Sequence, residues 1–272
     1  MQSGVFFGDM LDRYAREVSI AKRGARWEMI RIEKLCRYPI ANISMGNLTA
    51  QDFAKWRDER LKEVAPASVN REMALVGSAL NHARKEWGLS KVSPMADVAK
   101  PRKPPPRDRR PTADEIERMA FVAGSDLSTK TARALHGFLF AIETGMRAGE
   151  IVKLTQEHTD THRRVCHLTH TKNGSARDVP LSSTAVALID ALPDADPVFG
   201  LTSPQIDVLF RKVRDKADIK DLTFHDSRHE AITRLSKKLD VMALARMVGH
   251  KDIRQLMVYY NEDAEELAKR LG

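Results

Sequence analysis

Apolar positions in the first hundred residues recur at three- and four-residue steps. The longest stripe, Val69, Met73, Val76, Leu80, Ala83 and Trp87, ends near Gly88. Such spacing puts the side chains on one face of a helix, so this segment is predicted to be amphipathic. Ala25, Met29, Ile32 and Cys36 mark another stripe. Phe53, Trp56 and Leu61 mark a third, preceded by Thr49 and Asp52 at capping-box spacing. With a first helix near Phe7 to Val18, the pattern predicts a four-helix domain over residues 1–98.

The second half changes period partway along. Thr112 and Glu115 form a capping-box pattern before helices that run to Glu143. In RRVCHLTHTKNGSARDVPL, residues 163–181, residue types alternate on either side of Asn173-Gly174. Alternation about an Asn-Gly pair predicts a β-hairpin. From Ser183 onward the pattern is helical again to the C-terminus, and no internal repeat is present. Residues 99–111, AKPRKPPPRDRRP, hold five prolines and six Lys/Arg against one Asp. Proline removes backbone donors and favours extended neighbours, so this stretch is predicted to be a semi-rigid linker before a second domain at 112–272. The expected fold class is mainly α with a small β-sheet.

Composition narrows the function classes. The chain has 272 residues, 42% hydrophobic and 30% charged, enough to bury a core in each half. Lys+Arg number 45 against 37 Asp+Glu, a formal charge of +8, which favours an acidic partner, nucleic acid first among them. Arg102, Lys103, Arg107, Arg109 and Arg110 in the linker could lie along a phosphate backbone or simply be solvated. Arg23, Arg26, Arg31, Lys55, Arg57, Lys62, Arg71 and Arg84 in the first half read as charged helix faces of low specificity. Cys36 and Cys166 have no paired spacing, and neither a signal-like segment nor an 18-residue apolar run is present. Cytoplasmic residence with reduced thiols and no membrane insertion is the expectation.

Four short segments of the second half are rich in groups that bind or protonate a phosphate. They are TGMRAGE around Arg147, HTKNG around Lys172, FHDSRH from His225, and VGH ending at His250; two adjacent tyrosines, Tyr259 and Tyr260, follow. In this order the segments resemble the phage integrase type of tyrosine recombinase. That family's pattern is an arginine in Thr-Gly-x-Arg-x-x-Glu, a lysine at a hairpin tip, His-x-x-Arg, Gly-His, and a tyrosine nine residues after that histidine. These fall here at Arg147, Lys172, His225 with Arg228, His250 and Tyr259.

The resemblance spans essentially the whole chain. It implies a SAM-like four-helix core-binding domain, a mixed α+β catalytic domain, and a clamp around double-stranded DNA attachment sites. It also implies a homotetramer on paired sites, a monomer when free, and a C-terminal helix at Glu262 to Leu271 that docks on a neighbour. An additional arm-binding domain is not expected, because the helical pattern starts within about ten residues of Met1, less than an independent domain needs. Simple sites or a shortened form would follow.

The residue types suit that chemistry. A tyrosine attacking a phosphodiester starts from a phenol of ordinary pKa about 10, while negative charge grows on the non-bridging oxygens. Arg147 and Arg228 can each offer a planar fork to those oxygens. His225, three residues before Arg228, shares its helix face and is the better candidate to take the tyrosine proton. His250 can add a hydrogen bond, and the resemblance assigns Lys172 to protonate the departing 5′-oxygen. Glu150 and Asp226 are read as carboxylates that orient Arg or His groups. No cofactor or metal is expected, since the cationic cluster substitutes for metal ions and no carboxylate pair has metal-binding spacing around it.

If Asp252 to Tyr260 were helical, Ile253, Leu256, Met257 and Tyr260 would form a buried stripe, leaving Tyr259 as nucleophile. His158, His162, Cys166 and His170, four residues apart, offer zinc as a rival reading; a strand from Val165 would send Cys166 and His167 to opposite faces and disfavour it. Two other rivals are a catalytically silent DNA-binding protein on the same fold and a topoisomerase-like enzyme that relaxes DNA without exchanging partners.

Overall fold

The computed structural model describes residues 4–90, 93–102, 104–105, 107–169, 176–260 and 268. The chain divides into two units, Met1–Pro106 and Arg107–Gly272, and the boundary falls within the proline-rich stretch.

The first unit holds α1 (Phe7–Glu17), α2 (Ala25–Leu35), α3 (Ala50–Glu63) and α4 (Pro66–Glu86). The predicted α4 stripe is inside: Val69, Met73, Val76, Leu80 and Ala83 are buried. They pack with Phe7, Met10, Leu11, Phe53 and Trp56, and the Phe7 and Phe53 rings meet edge-on at 5.3 Å. The box at α3 forms, with the Thr49 amide donating to Asp52 and the Asp52 amide donating to the Thr49 hydroxyl. The α2 stripe is corrected. Ile32 and Leu35 are buried while Met29 is exposed, because the helix seats only the end that carries Ile32 and Leu35 in the core. Arg60 is 2% exposed and donates to both oxygens of Glu72 at 2.8 and 2.6 Å and to Glu63 at 2.6 Å.

The second unit is built around α6 (Lys130–Thr144), preceded by α5 (Ala113–Ala123) and followed by the short α7 (Ala148–Ile151). Phe138 stacks on Phe210 at 4.6 Å and meets Phe224 edge-on. A Cβ on Gly137 would lie 3.0 Å from Ile206, so glycine lets α6 approach the helix that carries Ile206 and Phe210. The Thr112–Glu115 box that opens α5 is present in both directions. After the sheet come α8 (Ser183–Asp190), α9 (Ser203–Lys216), α10 (Asp226–Leu235) and α11 (Val241–Val248).

The sheet is three antiparallel strands in the order β1 (Thr159–Asp160), β2 (Val165–Leu168), β3 (Arg177–Pro180). Leu168 pairs with Arg177, whereas a two-residue turn on Asn173 and Gly174 would have paired Leu168 with Val179. The two registers differ by two residues, which preserves the faces, so Cys166 and Val179 still point into the core. The hairpin tip, including Lys172, Asn173 and Gly174, lies outside the described residues.

The expected helix from Asp252 to Tyr260 is replaced by two short 3-10 turns, Ile253–Gln255 and Met257–Tyr259. The first opens with the Asp252 carboxylate accepting from the Arg254 amide, and only Leu256 is buried, while Met257 is 52% exposed. A 3-10 turn has three residues per turn, so the four-residue spacing that defined the stripe no longer holds one face together. The segment from Glu262 to Leu271, Ala268 apart, is outside the described residues. No described helix is long and apolar enough to cross a membrane.

Candidate active site

Arg147 is placed by a helix stop and a helix start. Gly145 ends α6 in the left-handed conformation at φ 65°, and α7 begins immediately after Arg147. Glu150, in the first turn of α7, accepts from the Arg147 amide at 2.9 Å and from the Arg147 Nη1 at 2.9 Å, so one carboxylate fixes both ends of the residue. Burial alone would raise the Glu150 carboxyl, but bonds from Arg177 and the Arg147 amide and the two guanidinium charges outweigh it and hold it below its ordinary range.

Arg228 sits in the first turn of α10 and is 3% exposed. One terminal nitrogen donates to the carbonyl of Gly145, the other to that of Val248 at 2.6 Å. These two carbonyls end α6 and α11, so the helix termini orient the guanidinium without neutralising it. Burial, followed by the Arg147 charge, pulls Arg228 down to about 9, which leaves it cationic at neutral pH. His225 caps the start of the same helix, three residues earlier. His250 follows Gly249, which terminates α11 at φ 69°. Burial, then the charges of Arg228, Arg147, Arg177 and His225, lower His250 to about 4. It is therefore a neutral imidazole at pH 7, keeping one N–H to donate.

Arg147, His225, Arg228 and His250 line one open cleft of about 540 Å³, joined by Lys251, Asp252 and Gln255. Two guanidiniums and a neutral imidazole around an open cleft form an anion site. Tyr259 is not one of its walls. Its ring meets His229 edge-on at 5.4 Å and packs beside Leu256, Leu244 and Val248. Burial and then Asp108 raise its phenol. Tyr260 packs against the same cluster and donates its hydroxyl to the Leu239 carbonyl at 2.8 Å. Its place in packing agrees with expectation, although the helical register that suggested it does not form.

The other predicted residues divide. Asp226 accepts a bidentate pair from Arg107 at 2.8 and 2.9 Å and a bond from the Thr223 amide. It therefore orients an arginine as expected, and that arginine is Arg107 of the linker. Of the linker cations, Arg107 also pairs with Asp221, Arg109 with Glu115 and Arg110 with Glu230. A DNA phosphate would have to compete with those carboxylates. Within the first unit, Ala99 and Pro101 accept from Arg57 and Asn70. Lys103 and Lys172 lie outside the described residues. Cys166 is wholly buried with its thiol pushed up to about 11. His158 and His167 stack at 5.9 Å while His167 bonds Asp178; among the described residues no three His, Cys, Asp or Glu side chains gather to hold a metal ion, and His170 lies outside those residues.

Sequence reasoning missed Arg177. It lies on β3 two residues before buried Val179, and strand alternation alone would have put this cation on the inner face, where a partner carboxylate is required. His229, which touches Tyr259, carried no comparable signal.

The phage integrase family model matches residues 109–266. A shufflon-specific DNA recombinase of Escherichia coli is 37% identical over 96% of this chain and 70% of its own length. The Tn1549 transposon integrase bound to transposon right-end DNA superposes with a TM-score of 0.80 at 16% identity, covering 98% of this chain and 99% of that one. A lambda integrase tetramer bound to a Holliday junction gives 0.75 at 19% identity, covering 92% and 78%. With the family match over most of the second unit and a relative of that identity along nearly the whole length, the chain belongs to the phage integrase family of tyrosine recombinases.

Proposed function

We propose that this protein is a site-specific DNA recombinase in which Tyr259 attacks a phosphodiester held by Arg147, Arg228 and His250. The observation that carries the reading is the convergence of Arg147, His225, Arg228 and His250 on one cleft. The Tyr259 oxygen bonds to phosphorus and the 5′-oxygen leaves. The tyrosine proton passes to His225, and Lys172 gives a proton to the departing oxygen. Attack by a 5′-hydroxyl on the 3′-phosphotyrosine reverses each step, so one phosphodiester replaces another with no external energy source. The arginines hold the non-bridging oxygens as their charge grows.

Tyr259 rests against His229, and the Arg228 charge acts on its phenol. DNA is the partner, as it is for the Tn1549 and lambda integrases, and four copies on paired sites, monomeric when free, is the assembly we propose. Arg102 and Lys103 would follow the backbone, joined by Arg107, Arg109 and Arg110 once their carboxylates are displaced. The place of action is the bacterial cytoplasm, on DNA. Integration or excision of a mobile element is the outcome that fits the family.

The test is a nicked suicide duplex carrying a candidate site, incubated in EDTA with wild type, Tyr259→Phe and Tyr260→Phe, then denaturing gels and peptide mapping. An adduct on Tyr259 that only Tyr259→Phe removes is expected. An adduct on Tyr260 would refute the assignment, and none on DNA that the protein binds would favour a silent binding protein.

A further inference from the structure

Arg177 has no place in the cleavage chemistry just described, yet it is one of the least exposed cations in the second unit, with 9% of its side chain accessible. Its two terminal nitrogens bond the two oxygens of Glu150 at 3.1 and 2.8 Å, and those oxygens also accept from the side chain and amide of Arg147. Its Nε donates to the Met247 carbonyl at 2.9 Å, in the last turn of α11. A Cβ on Gly249 would lie 3.0 to 3.2 Å from the Arg177 side chain, so the guanidinium rests directly on the turn that presents His250. One side chain from β3 thus reaches the start of α7 and the end of α11.

We propose that Arg177 is a positioning residue for strand cleavage, setting Arg147 through Glu150 and His250 through the α11 terminus, so that both address one phosphate. This rests on the reading of the cleft as the cleavage site. A purely structural ion pair would need only charge and a carboxylate. Here two cations share the single carboxylate of Glu150, and the planar fork spans Glu150 and the Met247 carbonyl together. Lysine, a point charge with no fixed fork, supplies the charge but cannot hold that geometry.

The full-length protein is compared as wild type, Arg177→Lys and Arg177→Met. The measurements are single-turnover cleavage of a nicked suicide duplex, DNA affinity, unfolding midpoint, and the NMR titration of His250 without DNA. Arg177→Lys is expected to keep affinity and midpoint while cleavage slows by about 10- to 100-fold, the range seen when groups that orient a site are lost. Its His250 midpoint stays low, because the positive charge remains. In Arg177→Met, cleavage slows at least as much and the His250 midpoint rises from about 4 toward its ordinary value, since one of the depressing charges has gone.

Arg177→Lys cleaving at the wild-type rate would overturn the inference while leaving the function intact. So would a slowing that only tracks the unfolded fraction, or an unmoved His250 midpoint in Arg177→Met. No adduct from wild type on DNA it binds would overturn the function and this inference with it.

Discussion

Two arginines are almost equally buried, one in each unit, and their surroundings are opposite. Arg60, at 2% exposure, is met by both oxygens of Glu72 and by Glu63. The Glu72 hydrogen bonds push its guanidinium above the ordinary range. Arg228, at 3%, bonds two backbone carbonyls and lies near a second cation, Arg147, and its guanidinium is pulled down to about 9. The first arginine is a finished ion pair. The second is a charge withdrawn from water and left without a full counterion, a costly state that binding an anion would relieve. Burial of a cation therefore does not mark a binding site by itself. The site is marked by burial with orientation but without neutralisation.

The comparison can be broken at either arginine. Arg60→Met leaves the half-buried Glu72 without its partner, and chemical denaturation is expected to show a loss of about 3 kcal/mol, with cleavage slowed only through the unfolded fraction. Arg228→Met should invert that pattern. Single-turnover cleavage falls by about 10²–10³-fold, the cost of removing one donor to a developing oxyanion, while stability holds or rises. If Arg228→Met unfolded the second unit as Arg60→Met does the first, the contrast would be false.

Acid sharpens the same point at a smaller scale. The folded state holds His250 near 4 against an ordinary 6.5, so below pH 6.5 the unfolded chain binds a proton that the folded chain does not. That contribution to stability is complete above pH 6.5 and is lost as pH falls toward 4. The Glu150 contribution, present above its ordinary 4.5, is lost below that. Unfolding midpoints measured from pH 7 to 4 should decline, and His250→Gln should flatten the upper part of the decline. The smallest effect is Thr112→Ala, which removes the cap of α5 and should cost about 1 kcal/mol in the same denaturation assay.

Local rules carried much of this architecture into the sequence. The α4 stripe and the boxes at Thr49 and Thr112 are decided within one helix, so periodicity and capping chemistry suffice to find them. The cleft residues were found through the resemblance of TGMRAGE, FHDSRH and VGH to the phage integrase pattern, and the structure puts them at helix termini: Arg147 after Gly145, His225 opening α10, His250 after Gly249. What failed depended on contacts between distant segments. The pairing of Cys166 with Val179 lies two residues from the register that a two-residue Asn-Gly turn would give, although the antiparallel pair itself forms as the alternation predicts. The Tyr259 segment took 3-10 turns because Leu256 alone had a pocket to fill, so a four-residue spacing without neighbours to bury it meant little. Asp226 does orient an arginine, but no local pattern could have named its partner, Arg107, 119 residues away.

The claim that Arg228 is an un-neutralised charge awaiting a phosphate is tested most directly by removing the phosphate's charge instead. Single-turnover cleavage is measured for wild type and Arg228→Ala on suicide duplexes with an ordinary scissile phosphate or a neutral methylphosphonate at that position. The account predicts that Arg228→Ala is severely slowed on the phosphate and recovers most of the loss on the methylphosphonate. Equal impairment on both substrates would contradict it.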